Sequence, residues 1–202
     1  MNRSRKILLY IIFGENQGYY DGAIFSFLTF MNWMNKDDPI EIVVLTQKKE
    51  QFEVYPVTII PLSIENIKEW SLNGKYNFRI KNRGMAYVMD KLELTDHDKI
   101  LFLDTDTYFN KSPLPLFDLI KPNQALFYLN EGLIYGRKRF QIYVDHLEGK
   151  SIQIDHGVYE LSKKSSMWGS LMVGIMPNMR PSLEWADKLM IVFIDMVPAH
   201  TV

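Results

Sequence analysis

The chain of 202 residues predicts an α/β fold in three layers, with helices on both faces of a mainly parallel central sheet. Three observations lead there. Short apolar runs recur along the chain, the pattern of strands buried on both faces. Stretches with apolar residues at helical spacing separate several of them. The run Lys99-Ile100-Leu101-Phe102-Leu103 ends abruptly in Asp104-Thr105-Asp106. In open α/β sheets, ligands gather where strands reach their carboxyl edge.

Taken in order, Ile7 to Phe13 reads as the first strand, closed by Gly14. The preceding basic residues and this apolar run superficially resemble a signal peptide. The run has only seven residues, with no small-residue cleavage site after it, so a basic tail and a buried strand are expected. After the loop Glu15-Asn16-Gln17-Gly18 comes a dense apolar helix from about Tyr20 to Met34. Ile24, Phe27, Leu28 and Met31 share one face, and Phe25, Phe30 and Trp33 broaden it, so burial between two layers is expected. Asp37-Asp38-Pro39 makes a turn into a strand at Ile40–Thr46, and Val57–Leu62 is a third strand bracketed by prolines. Asn77 to Leu94 reads as a helix, because Met85, Val88, Met89 and Leu92 fall at i, i+3, i+4 and i+7. The central strand follows the polar turn Thr95-Asp96-His97-Asp98. Beyond Tyr108 come a proline-broken loop, a short helix and a strand at Gln124–Leu129. Residues 131–165 have no clear period. Met167–Met176 reads as another buried strand, and Ser182 as the cap of a helix with Trp185, Leu189, Val192 and Met196 on one face. The whole is expected to be one domain, 1–202. The last helix has barely finished at Val202, which implies a small member of its class or a missing C-terminal portion.

Composition bounds the partners. At 47% hydrophobic and 23% charged residues the chain is ordinary for a globular protein, and a formal net charge of -1 gives no basic field for nucleic acid. No stretch approaches the roughly 20 apolar residues of a membrane span. The absence of cysteine excludes disulfides, thiolate zinc and cysteine nucleophiles, and it fits a reducing, cytoplasmic setting; a peripheral membrane contact stays open. Any metal is left to oxygen or imidazole ligands, which favours Mn2+, Mg2+ or Ca2+.

The chemistry is expected at the strand end. In extended chain, residues i and i+2 point the same way, so Asp104 and Asp106 address one cation while Thr105 points elsewhere. Two acids this close repel each other unless a cation lies between them. A divalent metal there neutralises charge on a leaving diphosphate. Arg79, Lys81 and Arg83 form a basic cluster suited to gripping that diphosphate.

The segment KILFLDTDTYFNKSPLPLFDL resembles the Asp-x-Asp region of nucleotide-sugar glycosyltransferases of the GT-A fold, most closely family 8 and its relatives. FRIKNRGMAYVMDKLEL is similar to the helix before that motif, LLYIIFGENQGYYDGAIFSFLTF to the first strand and nucleotide loop, and SMWGSLMVGIMPN to a later pocket strand. The resemblance implies transfer of a sugar from a nucleotide-diphosphate donor, commonly a UDP-sugar, to a carbohydrate or other hydroxyl acceptor. It implies Mn2+ or Mg2+ on Asp104 and Asp106, and Arg79 or Arg83 on the donor. By the same resemblance Phe13 and Gly14 would lie beside the nucleoside, Gly169 and Ser170 would line the sugar pocket, and Thr105 would belong to the donor-contacting set. Two features depart from the family. Glu15 and Asn16 only approximate the carboxylate that follows the first strand, and His200 lacks the Gly-Lys-Pro-type context of the family's C-terminal metal-binding His.

A general base for the acceptor hydroxyl is a His or carboxylate within hydrogen-bond reach. Asp155, His156 and Glu160 precede the later strand, with Asp155 and His156 the leading pair; the Asp145-His146 pair is a weaker candidate. Asp96, His97 and Asp98 look like a metal cluster, but they precede the strand and so fall on the opposite sheet edge, where a solvated turn is expected. Two other functions fit part of the pattern: a nucleotide-sugar-binding domain without catalysis, and a haloacid-dehalogenase-like phosphohydrolase. The latter lacks its usual Gly-Thr after the acids and its later paired acids.

Overall fold

Every residue from Ile7 to Ile12 is buried, as a strand covered on both faces requires. The computed structural model describes residues 4–35, 39–155 and 157–197. The strands are β1 (Lys6–Ile12), β2 (Ile40–Thr46), β3 (Thr58–Pro61), β4 (Lys99–Leu103), β5 (Leu126–Leu133), β6 (Ser151–Ile154), β7 (Gly157–Glu160) and β8 (Ser166–Ile175). Six of them make one sheet in the order β3-β2-β1-β4-β8-β5, and β6 and β7 form a separate hairpin. The first four sheet strands are mutually parallel: Lys6 pairs with Ile40 on one side and Lys99 on the other. β8 enters antiparallel beside β4, pairing Leu103 with Met172, and β5 closes that edge antiparallel to β8. The three-layer, mainly parallel expectation is met.

The helices are α1 (Gln17–Met31), α2 (Ile64–Trp70), α3 (Arg79–Lys91), α4 (Leu114–Leu119), α5 (Gln141–Leu147) and α6 (Arg180–Met196). Strand alternation separates two cores. Ile7, Leu9 and Ile11 point to one face, against Trp70 of α2, Ile80, Met85 and Val88 of α3, and Leu183 of α6. Leu8, Tyr10 and Ile12 point to the other, against Tyr20, Phe27 and Phe30 of α1 and Phe117 of α4. A third cluster joins α5, the β6–β7 hairpin and one face of α6 through Phe140, Leu147, Ile154 and Trp185.

Several boundaries differ from expectation. α1 starts at Gln17, and its buried stripe is Tyr20, Ala23, Phe27 and Phe30. Phe25, Leu28 and Trp33 are exposed, so α1 covers one layer and is not sandwiched. α2 was not anticipated; Ser63 caps it by accepting from the Asn66 backbone N–H. The unreadable region 131–165 holds the end of β5, α5 and the hairpin. Ser182 lies inside the first turn of α6, which begins at Arg180 after a turn at Pro177–Met179. The expected helix face of Trp185, Leu189, Val192 and Met196 does pack inward. Asp37, Asp38, His156 and His200 lie outside the described residues.

Two polar anchors fix the frame. Arg79 is buried and forms a two-pronged pair with Asp187 of α6, its Nε and Nη2 donating at 2.7 and 2.8 Å. Its remaining donors reach the Glu69 and Trp70 carbonyls at the end of α2. At the opposite sheet edge Asp98 is not solvated, as expected of it, but buried. It accepts from the Arg5 and Thr95 backbone N–H groups and from the Thr95 hydroxyl. Burial raises its pKa, but those hydrogen bonds and the Arg5 charge together lower it by more, to a net value below the usual 3.8.

Removing one partner of a buried ion pair strands the other, so Asp187→Ala is expected to destabilise the protein by about 3–5 kcal/mol in denaturant titration. Loss below about 1 kcal/mol would show that the pair does not hold α3 to α6. The depressed Asp98 pKa contributes stability above the unfolded-state value, and that contribution disappears as pH falls through the folded-state value. Asp98→Asn is therefore expected to melt lower than the wild type at neutral pH, with the gap closing at pH below about 4. A gap independent of pH would contradict this.

Candidate active site

A cavity of about 600 Å³ opens at the carboxyl edge of the sheet, above β1 and β4. Asp104, Thr105 and Asp106 line it, as do Phe13, the first turns of α1 and the start of α3. β4 stops at Leu103, so the three residues form a turn and not a continuation of the strand. The alternation argument therefore does not apply to them, yet both carboxylate residues still border the cavity. The turn is held from three sides. The Asp104 N–H donates to the Leu171 carbonyl of β8. The Thr107 hydroxyl donates to the Asp104 carbonyl at 2.8 Å and also hydrogen-bonds Ser26. Ser26 in turn shares a 2.7 Å hydrogen bond with the buried Tyr10 hydroxyl of β1. Burial pushes the Tyr10 pKa well up, so it stays a neutral partner.

Contact from α1 is closer still. A Cβ at Gly22 would lie 2.5 Å from the Thr105 carbonyl oxygen, so glycine is needed there for helix and turn to touch. About two turns further along α1, Thr29 accepts from the Phe109 N–H, and Trp33, just past the helix end, donates to the Phe109 carbonyl.

The cavity's cation is Lys81. Its Nζ donates to Asp104 Oδ2 at 2.6 Å, with its ammonium over the rings of Phe78 and Phe102. Burial raises the Asp104 pKa; the Lys81 hydrogen bond and charge lower it, and neighbouring Asp106 raises it. The net shift is upward, because burial outweighs the stabilising Lys81 contact.

The other expected residues divide. Phe13, Thr105, Asp104 and Asp106 meet at the cavity. Gly14 is adjacent, in the left-handed region at φ +87°, turning the chain from β1 into α1. Its N–H donates to Gln47, and its carbonyl accepts from Tyr20. Gly169 and Ser170 lie on β8 beyond its pairing with Leu103, at the same sheet edge but outside the cavity lining. Arg79 and Arg83 turn away: Arg79 is buried on Asp187, and Arg83 lies between Asp187 and Glu69 at 3.8 and 3.7 Å. The basic cluster thus splits, since residues two apart on a helix are about 200° apart around it. Asp155 sits in the β6–β7 turn at φ +44°, ion-paired with Lys188 of α6 and outside the cavity lining.

Asn16, which the sequence only approximately matched to the family's loop carboxylate, lines the cavity, while Tyr19, Gly22, Asn77 and Phe78 were not foreseen at the site. Lys81 had a usable signal: it lies one turn before Met85 on the sheet-facing stripe of α3, where a cation has to reach past the sheet edge. Tyr19 and Phe78 carried none, because exposed and core aromatics read alike in sequence.

No protein-family model matches this chain, and no curated protein does. A solved structure does: mouse xyloside xylosyltransferase 1 in its apo form, with a TM-score of 0.52, 12% identity, and 97% of this chain and 77% of that chain covered. The likeness is one of fold. The three-layer arrangement with its mainly parallel sheet is GT-A-like, as expected from the sequence.

The donor set suits a hard divalent cation: two carboxylates at one cavity, with a raised Asp104 pKa and the Lys81 ammonium standing as its present counter-charge. Among the described residues no group of three His, Cys, Asp or Glu is placed to hold a metal, so further ligands would come from substrate oxygens and water.

Gly22→Ala gains helix propensity of about 1 kcal/mol but drives a methyl group into the Thr105 carbonyl. The expected result is a lower melting temperature, with amide chemical-shift changes centred on Thr105 to Thr107. Unchanged shifts there would refute the contact.

Proposed function

We propose that this chain is a metal-dependent glycosyltransferase that binds a nucleotide-diphosphate sugar, a UDP-sugar in the first instance, in the 600 Å³ cavity. The supporting observation is the meeting of Asp104, Asp106 and Lys81 at the carboxyl edge of a sheet that shares its fold with a xylosyltransferase. Tyr19 and Phe78 are both about half exposed in the lining and offer ring faces for the base, while Asn16 and Asn77 offer amides for its polar edge. Asp104 and Asp106 would hold Mn2+ or Mg2+, which stabilises the charge that develops on the departing diphosphate. Lys81 neutralises phosphate oxygens from the α3 side. The acceptor is a carbohydrate or other hydroxyl compound. Its oxygen bonds to the anomeric carbon as the bond from that carbon to the diphosphate breaks. The hydroxyl proton passes to a general base, for which Asp155 and His156 remain the sequence candidates. Gly14, Gly169 and Ser170, beside the cavity at the same sheet edge, complete the proposed donor surroundings.

One observation favours a second reading, binding without transfer: no third protein ligand is placed beside Asp104 and Asp106 among the described residues. No helix among those residues is long and apolar enough to cross a membrane.

Calorimetric titration of UDP with and without Mn2+ tests the reading. Manganese-dependent binding is expected, together with its loss by more than about tenfold in Asp104→Ala. No binding under either condition, or unchanged affinity in the variant, overturns the donor site. Binding with no hydrolysis or transfer from any UDP-sugar would favour the second reading.

A further inference from the structure

We infer that Lys81 is a tethered competitor of the divalent cation: it occupies Asp104 until a diphosphate draws it off, so that metal and nucleotide bind cooperatively. The inference rests on the reading of the cavity as a nucleoside-diphosphate site. Lys81 Nζ lies 2.6 Å from Asp104 Oδ2, with the two side chains only 22% and 27% exposed. A carboxylate oxygen that already accepts a charge-assisted hydrogen bond is a poor ligand for a second cation. Mg2+ requires oxygens at about 2.0–2.1 Å, which would bring a divalent charge close beside the ammonium. The two positive charges disfavour each other there, and Asp106 alone is a weak anchor.

The lysine has somewhere else to go. Its four-carbon stem is flexible and its three donors rotate, unlike the rigid fork of arginine. The rings of Phe78 and Phe102, 5.5 and 5.6 Å from Nζ, hold the ammonium at the cavity without fixing its direction. A diphosphate entering the cavity offers a second anion within the sweep of that stem. Transfer of Lys81 to phosphate frees Asp104 Oδ2 for the metal, and the metal in turn binds the same phosphates. By linkage, each ligand then raises the affinity of the other by the same factor. The α3 rotation supports this division of labour. Arg79 and Arg83 are committed to Asp187, which leaves Lys81 as the cation of that cluster facing the cavity.

The test titrates Mn2+ into the full chain, following free Mn2+ by electron paramagnetic resonance, with and without UDP. Wild type, Lys81→Met, Lys81→Arg and Lys81→Met/Asp104→Asn are compared, each checked by thermal melting. Methionine keeps the apolar stem against Phe78 and Phe102 while removing the charge. The wild type is expected to bind Mn2+ weakly alone and more tightly with UDP. Lys81→Met is expected to bind Mn2+ alone about 5–150-fold more tightly than the wild type, with a smaller further gain from UDP than the wild type shows, since direct phosphate ligation of the metal remains. Lys81→Arg should stay as weak as the wild type, and the double variant should lose the gain. A folded Lys81→Met that binds Mn2+ no more tightly than the wild type overturns the inference. If UDP raises Mn2+ affinity in that variant by as large a factor as in the wild type, the lysine role falls and the donor site stands. If neither UDP nor Mn2+ binds the wild type or Lys81→Met, both fall.

Discussion

The rotation of α3 about its own axis is the constraint on which the site depends. A helix places residues in fixed angular order, so choosing which face is buried also chooses what every other position does. Here the choice is made by Arg79, whose guanidinium is spent on Asp187 and on two carbonyls at the end of α2. That network joins three helices on one face of the sheet. With Arg79 turned toward α6, Lys81 has to face the sheet edge, and it meets Asp104 there. Gly84, one turn on from Ile80, packs its bare Cα region against Ile11 and Leu45, so α3 also sits close to the sheet. Position and rotation together aim the ammonium.

The opposite wall is built on small groups. Gly22 lets α1 touch the backbone of the acidic turn, and a file of hydroxyls runs from Tyr10 through Ser26 and Thr107 to the Asp104 carbonyl. Each member is satisfied by the next, so the file lies between sheet and helix without an unpaired buried polar group. The result is a turn whose backbone is fixed before any ligand arrives. Preorganised groups of this kind do not have to be ordered at the moment of binding.

Sequence reading captured the central strands closely, because Ile7–Ile12, Ile42–Thr46 and Ile100–Leu103 are buried on both faces and so read as unbroken apolar runs. It placed Asp104 and Asp106 at the sheet edge for the same reason: the apolar run stops just before them, and both border the cavity there. It failed where burial comes from a second, smaller core. The hairpin and α5 bury Val144, Leu147, Ile152 and Ile154 in short segments too brief to show a period. It also made the buried face of α1 too wide: Phe27 and Phe30 are buried with Ile24 and Met31 packed beside them, but Phe25, Leu28 and Trp33 are apolar and face outward. Among the basic residues, charge alone could not separate Arg79 from Lys81. The separation needed a partner on α6, far away in sequence.

β8 runs against its neighbour and lies between β4 and β5. The strand that ends in the acidic turn therefore has one edge open until residues 166–175 have been made. During synthesis, the cavity's lining residues, all of them within 11–106, emerge well before the strand that supplies the Leu171 carbonyl to Asp104. Pairing between segments so distant in the chain is slow, since closure entropy is lost before contacts reward it. The nascent chain is thus expected to carry an exposed apolar strand edge for the time it takes to translate about sixty residues, and the site to take its final shape among the last events of folding.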